Sequence, residues 1–135
     1  MPSDEGLFAG IYSRGDAAAQ LTDRAWLQAM LDVEAALARA CAAEGLIPET
    51  SARSIAAACR AAGFDSEELS IQTARHASPV VGLVAALRVA VAESAREHVH
   101  VGATSQDVVD TALMLLAQRA LAPLLQDARG TADAA

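Results

Sequence analysis

The residues best suited to chemistry lie together in His98-Val99-His100-Val101-Gly102-Ala103-Thr104-Ser105-Gln106-Asp107-Val108-Val109-Asp110-Thr111-Ala112, where two imidazoles precede two hydroxyls and an acid. Apolar residues at Val108, Val109, Ala112, Leu113, Leu115, Leu116, Leu121 and Leu124 predict a helix starting near Ser105. The hydroxyls then fall at a helix N-terminus, where unpaired backbone N–H groups and the positive end of the helix dipole favour a carboxylate or phosphate. The same spacing fits a plainer role, with Thr104 or Ser105 capping the helix and Asp107 filling its first turn.

Other reactive residues are fewer. Arg75 and His76 fall at the end of a predicted helix, where a positive charge complements the dipole. An extended segment around Val99 to Val101 would put His98 and His100 on one face; His98 is read as solvent-facing or structural. Asp107 and Asp110, three apart on a helix, share a face, yet no further ligand follows, so hydrogen bonding rather than metal binding is expected of them. Cys41 and Cys59 lack metal-ligand spacing and read as reduced, buried thiols. No Gly-rich phosphate loop, Cys/His cluster or nucleophile elbow occurs, and neither a metal nor a cofactor is expected.

The elements that must position these groups are helical. Thr22 and Asp23 offer an N-cap for a helix carrying Trp26, Met30, Val33, Leu37 and Cys41 at helical spacing until Gly45. Pro48 with Thr50 or Ser51 opens an Ala-rich second helix that Gly63 closes, and Asp65 with Glu68 reads as a capping box for a third. Ser78-Pro79 starts a fourth helix through Val91, apolar almost all round and so expected to be buried. In the fifth, Pro123 should kink the helix or divide it, and Gly130 offers a stop. Its leucine-rich stripe has no partner in the sequence, which predicts self-association and gives the chain the look of something cut off.

Composition agrees: 135 residues, 53% hydrophobic but only 3% aromatic, with Ala, Leu and Val dominant, predict an all-α chain of about five helices. A net charge of -7 argues against broad binding to nucleic acid or anionic membrane, and all ten basic residues are arginine. The longest uncharged apolar stretch, Ala77 to Leu87, is too short to span a bilayer, and Met1 to Gly15 lacks signal-peptide character, so a cytoplasmic protein is expected.

The run Gly102 to Ala112 resembles the first of three signature segments of the fumarase/aspartase superfamily. The opening helix from Asp23 to Ala38, Gly45-Leu46-Ile47-Pro48, and Ser78-Pro79-Val80-Val81 with Leu83, Val84 and Leu87 are similar to the family's start and fourth helix. Ala103 to Asp107 is most similar to bacterial 3-carboxy-cis,cis-muconate lactonizing enzymes, or cycloisomerases, of protocatechuate breakdown, with adenylosuccinate lyases the near alternative.

The resemblance implies the N-terminal part of a homotetrameric enzyme acting on a small polycarboxylate: residues 1–103 an N-terminal helical domain, 104–135 the start of a central helical bundle. It implies proton transfer next to a carboxylate, through a carbanion delocalised into that carboxylate. The family's serine base and histidine acid belong to later signatures, so no catalytic residue is assigned within this chain, which alone is expected to be inactive. Substrate contacts are implied for His100, Thr104, Ser105, Gln106 and, by a Thr-basic-His pattern of adenylosuccinate lyases, His76. Ala77 stands where that pattern has Asp, which weakens the last assignment. A non-catalytic helical interaction module is the alternative of another class.

Overall fold

The computed structural model describes residues 15–135, and every regular element among them is helical. In order they are α1 (Gly15–Ala19), α2 (Asp23–Ala43), α3 (Glu49–Ala58), α4 (Ser66–His76), α5 (Pro79–Ala90) and α6 (Ser105–Ala134), with 3-10 turns at Ala61–Gly63 and Glu93–His98. The expected all-α class holds. Four starts are set locally: the side chains of Thr22, Asp65, Ser78 and Thr104 accept from the amides of Ala25, of Glu67 and Glu68, of Val80, and of Asp107. Each satisfies donors that a first turn leaves without an intrahelical partner.

The long helix α2 packs against both α3 and α6, while α4 packs on α5. Its Leu27, Met30, Leu31, Ala35, Ala38 and Cys41 are buried, and with Ile55, Leu83, Leu87, Val108 and Leu116 they make one core. Fully burying such a Leu or Val contributes roughly 1.5–3 kcal/mol. The stripe expected from spacing is turned: Met30 and Cys41 are buried, but Trp26, Val33 and Leu37 only flank the core. Partners on two sides widen the buried arc beyond one seam. α5 is buried through Val80, Leu83, Val84 and Leu87, yet Val81 and Val89 stand outside, so it is covered on one face rather than all round. A Cβ on Gly82 would lie 2.7 Å from Gln72 Cβ, which is why α4 and α5 can approach so closely.

Three helix ends differ from expectation. α3 stops at Ala58 rather than Gly63. The Gln28 side chain takes over there, its amide nitrogen donating to Cys59 O (3.3 Å) and its oxygen accepting from Ala61 N (2.9 Å), so backbone groups leaving the helix are satisfied from α2. α6 runs on through Pro123, which forfeits one backbone hydrogen bond, and through Gly130 to Ala134. α6 is also long and apolar enough, by length and composition, to cross a bilayer, a property the search for uncharged runs missed. Here Val108, Ala112, Leu116 and Ala120 of its first half pack into the protein core.

Candidate functional site

The chain enters α6 through a tight turn, not the extended segment that spacing suggested. His100 and Gly102 both adopt the left-handed region, at φ +66 and +78. Glycine takes that conformation freely; for a residue with a side chain it costs roughly 1–2 kcal/mol. Something must hold His100 there. Val99 is buried, with its carbonyl 3.5 Å from the Arg88 guanidinium, and the Cys41 thiol lies 3.7 Å from the carbonyl of Val101. Between them His100 Nδ1 lies 2.6 Å from Glu34 Oε1. Glu34 and Cys41 are seven apart on α2, hence on one face, so a single helix grips the turn at two points.

Glu34 is the residue that sequence reasoning overlooked. It is 1% exposed, an acid in the middle of the buried face of α2, and its second oxygen, Oε2, is buried with no hydrogen-bond partner among the described residues. A carboxylate so placed costs stability unless it is paired and fully bonded. The signal was present in the pattern Leu27, Met30, Leu31, Glu34, Ala35, Ala38, Cys41, where one acid interrupts an apolar arc. Its partner lies 66 residues away, and nothing local points to it.

At the start of α6, Thr104 and Asp107 form a reciprocal capping box. The Thr104 hydroxyl accepts from Asp107 N (3.4 Å), while the Thr104 amide and hydroxyl both donate to Asp107 Oδ2 (2.8 Å each). The backbone bond from Thr104, then its hydroxyl, hold the Asp107 carboxyl below its usual range; desolvation opposes this, and the nearby His100 adds a smaller lowering. His100 is therefore within electrostatic reach of the helix start. Thr104 is committed to the cap, and the Gln106 side chain donates to Asp110 (2.7 Å). Among the described residues, the Ser105 hydroxyl and the amides of Ser105 and Gln106 carry no such bond, leaving three donors at the positive end of a 30-residue helix.

The other candidates stand apart. His76 is exposed in the last turn of α4 and is joined by no hydrogen bond or ion pair to the α6 start among the described residues. His98, half-buried, reaches Ser51 Oγ at 3.0 Å and ties the 3-10 turn to α3, a structural role. Cys41 and Cys59 are free and buried; burial, then the charges of Glu34 and Asp32, push the Cys59 thiol up to about 12 against the opposing effect of Arg39. Among the described residues no three His, Cys, Asp or Glu side chains converge as a metal-holding group.

A family model described as lyase matches residues 13–134. The chain belongs to this lyase family. It is 43% identical over 130 residues to a 3-carboxy-cis,cis-muconate cycloisomerase of Pseudomonas aeruginosa, covering 94% of this chain and 28% of that protein. A nitrosuccinate lyase of Streptomyces davaonensis is 42% identical over 120 residues, covering 87% of this chain and 25% of the other. The crystal structure of a 3-carboxy-cis,cis-muconate lactonizing enzyme from Pseudomonas putida superposes with a TM-score of 0.86 at 39% identity, over 90% of this chain and 28% of that one. The lyase-family chain thus has the helical fold of the fumarase/aspartase type and spans little more than a quarter of the length of these relatives. The resemblance drawn from Gly102 to Ala112 extends to nearly the whole chain.

Proposed function

We propose that this chain supplies the N-terminal part of a cycloisomerase that interconverts 3-carboxy-cis,cis-muconate and a carboxymuconolactone in protocatechuate catabolism. In the lactonizing direction an internal carboxylate adds to a double bond and the neighbouring carbon gains a proton. In reverse, a base removes that proton, charge spreads into the adjacent carboxylate, and the ring carboxylate leaves. The acid and base belong to parts of the enzyme outside this chain. This chain contributes the carboxylate subsite, formed by Ser105, the amides of Ser105 and Gln106 that carry no bond among the described residues, and His100, with Gln106 and Thr104 aligning that turn. The supporting observation is the coincidence, in a chain of net charge -7, of an uncapped donor set at a long helix's positive end with a clamped imidazole beside it. A general positive field cannot attract a polyanionic substrate here; local donors can.

In the same reading residues 104–135 begin the central bundle of a cytoplasmic homotetramer, whose other helices cover the exposed stripe of α6. The nitrosuccinate lyase relative, at nearly equal identity, favours a second reading in which the same subsite holds the carboxylate of a different succinate-type substrate.

The test is made in the full-length enzyme with both substrates. Turnover of 3-carboxymuconate, lost on the order of 100-fold or more in Ser105→Ala with an unchanged melting temperature, is expected when that donor faces developing charge. The 135-residue chain alone should give no turnover. Full-length protein that consumes only nitrosuccinate supports the second reading, and unchanged kinetics in Ser105→Ala removes the subsite.

A further inference from the structure

We infer that Glu34 is a positioning residue for His100, fixing which ring nitrogen carries the proton and so which one the substrate meets. The inference rests on the carboxylate subsite proposed above, and four features of the structure carry it. The Glu34 side chain is 1% exposed, and Oε1 lies 2.6 Å from His100 Nδ1. Among the described residues its Oε2 has no hydrogen-bond partner, and the imidazole is the one side chain bonded to this buried carboxyl. The backbone of His100 is held in the left-handed region, a conformation that costs energy and aims the ring back at α2. The imidazole itself is 15% exposed, so its far edge stays within reach of a ligand while Nδ1 faces inward.

A carboxylate only accepts hydrogen bonds, so across this contact Nδ1 is the donor and carries the proton, and Nε2, on the opposite edge of the ring, is left with its lone pair. Nε2 can therefore accept a hydrogen bond from a substrate group or, when protonated, donate one to the substrate carboxylate, without the ring turning. An apolar residue at position 34 would pack as well in the core; it would leave the imidazole free to rotate and to exchange tautomers. A group that positions a substrate-binding side chain acts on activity without touching substrate, and a misplacement of about 1 Å can cost on the order of 100-fold.

The experiment uses the full-length protein with nitrogen-15-labelled histidine, the His100 signals being assigned by their absence in His100→Asn. The wild-type ring should show a protonated Nδ1 and an unprotonated Nε2 at neutral pH. In Glu34→Gln, whose amide can present either its oxygen or its nitrogen, that tautomer should give way to a mixture, with kcat/KM for 3-carboxymuconate reduced by up to about 100-fold, as for a misplaced binding group, and helical content retained. A wild-type ring protonated on Nε2 overturns the inference without recourse to any variant. So does a Glu34→Gln protein with an unchanged tautomer, or one with a changed tautomer and kinetics within twofold of wild type. Should the wild type not turn over 3-carboxymuconate, the functional reading fails, and the ring signals still decide whether Glu34 sets the tautomer.

Discussion

The two halves of α6 contain similar residues in different circumstances. In the first, Val108, Ala112 and Leu116 are buried against the rest of the chain; in the second, beyond Ala120, Leu121, Leu124 and Leu125 are about half exposed. Leu116 and Leu124 belong to the same helix and have the same side chain, so their difference is one of partners, not propensity. The buried half also begins at the clamped turn, so the proposed carboxylate subsite lies on the part of α6 that is anchored in the core. The exposed half waits for neighbours, which in the proposed enzyme are other bundle helices.

That comparison can be broken most directly at Leu116. Leu116→Ala in this chain should lower stability by about 2–5 kcal/mol, as for other large-to-small changes in a packed core, read from chemical denaturation. A loss below half a kilocalorie would mean that the first half is no better anchored than the second.

The next effect is at the helix start. Thr104→Val removes the cap and should cost about 1 kcal/mol, visible as a lower melting temperature, while leaving the turn gripped by Glu34 and Cys41. The charge of Asp107 sharpens this. Its carboxyl binds a proton more weakly folded than unfolded, so its contribution is fully present above the usual aspartate value of 3.8 and is lost as pH falls through the lower folded value. The difference in melting temperature between wild type and Asp107→Asn should therefore be present at neutral pH and close in acid well below that value. A constant gap would show that the capping box owes nothing to the charge.

The smallest effect belongs to the exposed half. Leu124→Ala should change the stability of the 135-residue chain by less than about 0.5 kcal/mol, and sedimentation should show less self-association, since an apolar stripe is removed from the surface. In the full-length protein the same substitution should cost several times more. Equal small costs in both would mean that no partner covers the stripe.

Local chemistry made much of this fold legible. Thr22, Asp65, Ser78 and Thr104 each cap the helix that the sequence predicts, because a cap involves only groups within three residues of one another. The wording of Gly102 to Ala112 was enough to place the chain in its family. Stop signals were less dependable. Gly63 and Gly130 are stop signals and Pro123 a signal for a kink or a division, yet α3 ends earlier because Gln28 reaches in from α2, and α6 is not divided at Pro123 and continues past Gly130. Propensity sets only the local cost of ending a helix; the outcome depends on what satisfies the backbone there.

The sequence by itself therefore determined the helical class, most helix starts, the family and the segment where chemistry would be sought. Only the tertiary structure decided that His100 sits in a left-handed turn rather than an extended segment, that Thr104 is occupied by the cap while the Ser105 hydroxyl carries no bond among the described residues, and that a buried Glu34 holds the imidazole. The reason is one of range. Hydrogen bonds within a turn are fixed by residues next to one another, whereas the bond from Glu34 to His100 joins positions 66 apart and exists only because α2 packs beneath the turn that leads into α6.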